Sequence, residues 1–346
     1  MYQCNLLTSM LDSPTHGGTL FDALANTTAN QLSIFKTDVV RDVIEYKWQT
    51  FARRSHFFGA FVHISYTVAL ASYINDIFLR DEKFTDEGVR KNPPPNMPLL
   101  YVMLALLIYP VQHDGQQMLR EGVYYFDSAW NVVDFTHNVL GFANVWCQRY
   151  NGSLELMSKL TIIGVVATSL LRLFFFMRII KSFSYIVRML MSVISDLMVF
   201  LLFFAILILM FSLIFDIISR NPSPEYEKVG PLFGNLFTTL RLSLGDFDFT
   251  VMEEDDVSKG ALSANQHILF WFVWLITVVF SALIFLNFII AEVSNSYRRI
   301  NAEIGALVYK ERAGLIQETE SLASAASKRK NKKNYPRYII TREQDA

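Results

Sequence analysis

The segment from Pro231 to Phe249 reads PLFGNLFTTLRLSLGDFDF. A half-apolar helical pattern runs into Leu244-Gly245-Asp246, and an acidic cluster, Glu253-Glu254-Asp255-Asp256, follows. Two long apolar stretches flank the whole. Irregular backbone at membrane depth is tolerated only where it lines water or is buried in protein. A short helix dipping into a bilayer and ending at a carboxylate therefore suits the lining of an aqueous path. Gly245 lets carbonyls turn toward that path. Asp246, repeated around an oligomer, would form a ring of the kind that selects cations. The expected filter is Leu244, Gly245 and Asp246. The rival reading, an external loop capped by an aspartate, leaves a helix–Gly–Asp segment between the last two spans unexplained.

A second constellation is Asp114, Gln117, Asn131 and Asp134. Each pair is three residues apart and so shares one helix face. All four offer the hard oxygen ligands that Ca²⁺ prefers, and ionisable groups inside a membrane bundle are usually functional. These four are the expected metal set, with Ca²⁺ as a regulatory ligand. The alternative is a hydrogen-bonded cluster that only holds helices together. The histidines (His16, His56, His63, His113, His137 and His267) show no metal-ligand spacing, and His113 and His137 read as polar helix residues. No nucleophile motif, phosphate-binding loop or dinucleotide fingerprint is present, so no enzyme is expected.

The elements that must position these residues are membrane spans. The chain has 346 residues, is 52% hydrophobic and holds 29 Phe, more apolar sequence than a soluble domain of this size carries. The excess falls in runs long enough to cross a bilayer, about 20 residues each. The formal net charge of -1 gives no basis for nucleic-acid binding, and the two cysteines, Cys4 and Cys147, cannot build a disulfide framework. The first 30 residues lack a basic start and an apolar core, so no cleavable leader is expected.

The pattern predicts an amphipathic helix over 34–51, with Phe35, Val39, Val43, Tyr46 and Phe51 on one face, lying at the membrane surface. Spans are expected near 57–79, 98–118 and 130–147. Residues 156–218 form one apolar stretch, and a single helix of that length would be about 90 Å long, so it must hold two spans. Lys181, Ser182, Ser184 and Arg188 mark the break, giving a fourth span to 180, a short interfacial linker and a fifth span over 191–218. The sixth runs near 266–293 and continues as a helix past Arg298-Arg299. A basic tail with Lys328, Arg329, Lys330, Lys332 and Lys333 would attract anionic lipid or simply be solvated.

Lys and Arg in short loops set the orientation. Six spans put Arg53, Arg54, Arg178, Lys181, Arg188, Arg298 and Arg299 on one side, which makes both termini cytosolic. The loop over 80–97 carries Arg80, Lys83, Arg90 and Lys91, balanced by four acids. The sequon Asn151-Gly152-Ser153 then lies outside, and that at Asn26 inside. In the fourth span only Arg172 is well inside, so a voltage sensor, which repeats Arg every third residue, is not expected.

Leu240 to Phe249, LRLSLGDFDF, is similar to the pore of polycystins and transient receptor potential (TRP) channels. Leu286-Asn287-Phe288-Ile289-Ile290-Ala291 and Asn295-Ser296-Tyr297 resemble the end of their sixth helix, and Lys47-Trp48-x-x-Phe51 resembles the segment before the first helix of ankyrin-bearing TRP channels. The similarity covers about 34–310. The chain lacks the large insert of polycystins after the first span and a clear Trp-containing box after the sixth. The resemblance implies a homo- or heterotetramer, with a peripheral four-helix bundle and a pore module of the fifth span, a re-entrant loop and the sixth span. It places the apolar gate at Ile290, with Ser294 one turn further in; a narrow apolar ring can close a pore by dewetting. It also likens the Asp114 cluster to a cytosol-facing Ca²⁺ site, with Asp114 where a Glu is usual.

The expected fold is an all-α membrane protein of six transmembrane helices. Its parts are a cytosolic segment over 1–54, a voltage-sensor-like bundle over 55–181, a linker and pore domain over 182–300, and a cytosolic helix and tail over 301–346. The expected function is a tetrameric, non-selective, Ca²⁺-permeable cation channel modulated by cytosolic Ca²⁺. Its partners would be Ca²⁺, Na⁺, K⁺, membrane lipid and further copies of itself, in the plasma membrane rather than an organelle. The alternatives are a voltage-gated cation channel and a non-conducting subunit of a heteromeric complex.

Overall fold

The computed structural model describes residues 20–27, 29–79, 93–218, 224–247 and 264–322, and contains no strand among them. The charged loop from Arg80 to Lys91, the acidic cluster at Glu253–Asp256, the basic tail, Cys4, His16 and Thr28 lie outside the described residues. The helices in chain order are α1 (Leu20–Ala25), α2 (Asp38–Lys47), α3 (Arg53–Ile74), α4 (Met97–Glu121), α5 (Ala129–Tyr150), α6 (Leu156–Met177), α7 (Lys181–Ile218), α8 (Pro231–Ser243), α9 (Ala264–Thr277) and α10 (Leu286–Leu322). Wider π turns join α2 to α3 over Trp48–Ala52 and α9 to α10 over Val278–Phe285. Two compact units result, Met1–Arg188 with Glu303–Ala346, and Met189–Ala302.

In the first unit α3 to α6 form the bundle. Asn96 starts α4 by accepting a hydrogen bond from the Leu99 N–H at 3.3 Å, with Pro98 in the first turn. Tyr66, Tyr73, Leu100, Met103, Leu107, Ile162 and Val165 are buried together in the bundle. Gly141 lets α5 approach α4 closely, because a Cβ there would sit 2.8 Å from the Leu107 side chain. The outward faces are apolar as well; Phe61, Val68, Leu160 and Ile163 are exposed, as suits a hydrocarbon surround.

Among the described residues four helices are long and apolar enough to cross a membrane: Asp38–Leu79, Leu156–Met177, Ser182–Ile218 and Asn265–Leu322. α4 and α5 have span length, 25 and 22 residues, but fall outside this set. The physical reason is their inward face. Asp114 and Gln117 on α4, and His137, Asn138, Asn144 and Gln148 on α5, are buried inside the bundle. Several are satisfied there: Tyr73 OH donates to Gln148 Oε1 at 3.0 Å, and His137 Nδ1 lies 3.1 Å from Thr168 Oγ1.

Two boundaries differ from expectation. The amphipathic face of 34–51 is covered in part: Phe35 and Val43, with Ile44 and Trp48, pack with Phe21 and Leu24 of α1 and with Ala313, Leu315 and Ile316 of α10, while Val39 and Tyr46 stay exposed. The linker over 181–188 is no separate element either. The chain turns between Met177 and Lys181, and α7 then runs 38 residues without interruption. No Pro or Gly stands within it to end a helix.

The second unit holds the later part of α7, α8, α9 and the start of α10. Phe215, Ile218, Leu242, Phe270 and Val278 form its core, and Phe204 stacks on Phe285 with centroids 5.0 Å apart.

Candidate functional site

Gly230, at φ 92°, turns the chain into α8, and Pro231 occupies the first turn, where a missing N–H costs nothing. The other end is closed by its own backbone. Gly245 has φ 96°, its N–H donates to the Leu242 carbonyl at 3.1 Å, and the Asp246 N–H donates to the Arg241 carbonyl at 3.0 Å. This is a Schellman C-cap with glycine in the left-handed position. Leu244, Gly245, Asp246 and Phe247 are all exposed, whereas Leu242 and Ser243 are buried. Asn235 Nδ2 donates to Asp216 Oδ1 of α7 at 3.1 Å and pins α8 from behind. The three expected filter residues thus form one exposed turn at the end of a fixed helix.

Asp246 does not stand alone. Arg241 Nε donates to its Oδ2 at 2.7 Å, and Arg241 Nη1 donates to Tyr226 OH at 3.4 Å. The sequence signal was available, a cation five residues before the carboxylate, but only the C-cap turn brings the two side chains together.

On α10 Ile290 is exposed, and Ser294 Oγ returns a hydrogen bond to its carbonyl at 2.9 Å. Asn287 also bonds its own helix, donating to the Leu283 carbonyl at 2.6 Å. Below them Ser296 Oγ donates to Asp196 Oδ2 of α7 at 2.8 Å, and Arg299 pairs with the same carboxylate. This α7–α10 clasp was not anticipated.

The four expected metal ligands separate into two places. Arg172 of α6 holds both carboxylates. Its Nε lies 2.9 Å from Asp134 Oδ1, a charge contact whose N–H is not aimed at the oxygen, and its Nη2 lies 3.4 Å from Asp114 Oδ2. Asn138 Nδ2 donates to Asp114 Oδ2 at 2.7 Å. Gln117 instead donates to Glu121 at 3.2 Å, and Asn131 Nδ2 donates to the Tyr125 carbonyl at 2.9 Å. Asp114 and Asp134 line a cavity of about 30 Å³ with Arg172 and His113. Gln117 and Asn131 line another, of about 560 Å³, with Glu121, Trp130, Arg178 and Glu318. Among the described residues no group of three or more His, Cys, Asp or Glu is placed to hold a metal. Four residues that line two different cavities, two of them carboxylates already paired with a guanidinium, do not form the shell of six to eight oxygens at about 2.3–2.6 Å that Ca²⁺ takes.

The family model described as Ion transport protein matches residues 65–303. The chain belongs to the ion transport protein family. It is accordingly an integral, multi-pass membrane protein and an ion channel subunit, not an enzyme. A search of curated proteins finds no match. The family match runs from within α3 through α8 and its C-cap turn and past Ile290 and Ser294 of α10, so the turn at Gly245 lies inside an ion transport domain.

Sequence reasoning also missed how α10 is fastened in the first unit. Lys47 Nζ donates to Glu320 Oε1 at 2.7 Å with both side chains buried. Arg178 Nη1 donates to Glu311 Oε2 at 2.8 Å while lying over the Trp130 ring at 4.6 Å. Lys310 Nζ donates to the Thr27 carbonyl at 2.6 Å, and Arg312 pairs with Glu45. Only the motif around Lys47 and Trp48 hinted at this region.

Proposed function

We propose that the chain is one subunit of a tetrameric, non-selective, Ca²⁺-permeable cation channel of the TRP or polycystin type. The observation that carries this reading is the exposed C-cap turn, Leu244-Gly245-Asp246, presented by an anchored short helix between two apolar helices of an ion transport domain. Repeated around an axis, the turn would offer backbone carbonyls and four carboxylates to a permeating cation. Arg241 lies beside each carboxylate and tempers the ring. A strongly charged ring would hold Ca²⁺ tightly, whereas a tempered one lets mono- and divalent cations both pass, since conduction needs binding weak enough to leave. Ile290 is the closing ring and Ser294 lies on its cytosolic side, with both termini in the cytosol. Voltage plays little part, because α6 carries only Lys159 and Arg172, and Arg172 is held by two carboxylates.

Cation flux from proteoliposomes tests the reading. The purified chain should form a tetramer and release trapped Na⁺ and Ca²⁺ down their gradients. A tetramer that releases neither, alone or with Ile290→Asn to open the gate, would assign the chain to a non-conducting role.

A further inference from the structure

Asp114, Asp134 and Arg172 come from three different helices, α4, α5 and α6, and meet inside the bundle. Their side chains are 10%, 14% and 7% exposed. Asn138, also buried, ties the group together: Nδ2 donates to Asp114 Oδ2 at 2.7 Å, and Oδ1 accepts from Arg172 Nη1 at 3.5 Å. His113 Nδ1 lies 3.2 Å from the other Asp114 oxygen. The residue types alone suggested a divalent-cation site.

We infer that Arg172 is the resident cation of the Asp114–Asp134 pair, and that the pair takes no Ca²⁺ while Arg172 is in place. The first reason is charge. Two carboxylates brought close in a low-dielectric bundle require a nearby counter-charge, and the guanidinium supplies it with several donors spread in a plane, matched to more than one oxygen. The second is space. The cavity beside the group is small, about 30 Å³, and the guanidinium already lies against both carboxylates that would ligate an ion there. The third is convergence. Gln117 and Asn131, which would complete the shell, line the other cavity, where Gln117 Nε2 donates to Glu121 and Asn131 Nδ2 to the Tyr125 carbonyl at 3.2 and 2.9 Å. A Ca²⁺ ion entering here would meet a buried positive charge.

The consequence is a latent site. Arg172→Gln removes the counter-charge, leaves both carboxylates facing each other and enlarges the cavity. A divalent cation then becomes the replacement that restores neutrality. The inference concerns the first unit alone and stands apart from the pore reading.

The test is ⁴⁵Ca²⁺ equilibrium dialysis with thermal melting on the purified full chain, in an Asp246→Asn background that removes the expected pore ligand. Protein with Arg172 intact should show no saturable binding that Asp134→Asn abolishes, and its Tm should not respond to Ca²⁺. Adding Arg172→Gln should lower the Tm and create one site per chain, at least about tenfold tighter than any in the parent, lost again on Asp134→Asn, with Ca²⁺ raising the Tm. Saturable binding in the Arg172-bearing protein that Asp134→Asn removes would overturn the inference. So would a folded Arg172→Gln protein that binds no Ca²⁺. Should Arg172→Gln not fold, the parent measured with and without Asp134→Asn still decides.

Discussion

Lys47 and Glu320 are separated by 273 positions in sequence yet pair at 2.7 Å, with side-chain exposures of 3% and 7%. Breaking a buried ion pair from one side leaves the other charge uncompensated and costs about 3–5 kcal/mol. At about 1.4 kcal/mol per tenfold, that is about two to three and a half powers of ten in the opening equilibrium of the helix end over 303–322. The two single variants should differ. Glu320→Gln leaves the ammonium with a neutral acceptor and with the Phe21 and Phe51 rings, whose centroids lie 5.9 and 5.5 Å away. Those contacts retain about 0.5–2 kcal/mol, so this variant falls at the lower end. Lys47→Met strands a carboxylate beside aromatic rings and falls at the upper end. The double variant Lys47→Met with Glu320→Leu, similar in volume and uncharged, should return within about tenfold of the wild type. Hydrogen–deuterium exchange of peptides from 303–322 in lipid nanodiscs reads the effect directly. The reasoning fails if either single variant changes protection by less than about tenfold, or if Lys47→Met opens the helix no more than Glu320→Gln.

Three further outcomes are expected. Gly245→Ala forces a Cβ onto backbone at φ 96°, a strain of about 1–2 kcal/mol; the C-cap should loosen and Ca²⁺-over-Na⁺ reversal potentials shift, with little change in overall Tm. Ile290→Asn wets the apolar ring, and resting current should rise at least about tenfold in patches from cells expressing it. Burial pushes the Glu121 carboxyl, just beyond the second span expected over 98–118, above its ordinary value of 4.5, against the opposing hydrogen bond from Gln117. Its stabilising contribution is then complete below that value and is lost as pH rises through the raised one. Melting curves of the wild type should show that loss, and Glu121→Gln should flatten it.

The C-cap turn at Gly245 is legible in the sequence because its signals are local. Pro231 and Gly245 bracket α8 in the positions that helix ends favour, and the carboxylate follows at once. The sixth helix was equally plain, since apolar sequence runs unbroken from 268 to 286 apart from Thr277 and Ser281. What escaped was long-range. Asp114 and Asp134 announce hard ligands, but the residue that neutralises them, Arg172, lies on another helix, and spacing within one helix carries no mark of it. The amphipathic pattern over 34–51 showed an apolar face but not that α10 would cover it. The π turns at Trp48–Ala52 and Val278–Phe285 add residues to a turn without changing composition, so periodicity alone carried no mark of them.

The central claim is that Asp246 lies in a cation-conducting pore. Single-channel recording of the purified chain in planar bilayers, with Na⁺ or Ca²⁺ as charge carrier, tests it beside Asp246→Asn and Arg241→Gln. The account predicts unitary cation currents whose Ca²⁺ share falls in Asp246→Asn, where Arg241 is left beside a neutral ring, and rises in Arg241→Gln, where the carboxylate is released. Unitary currents identical in all three proteins would contradict it and place the filter elsewhere.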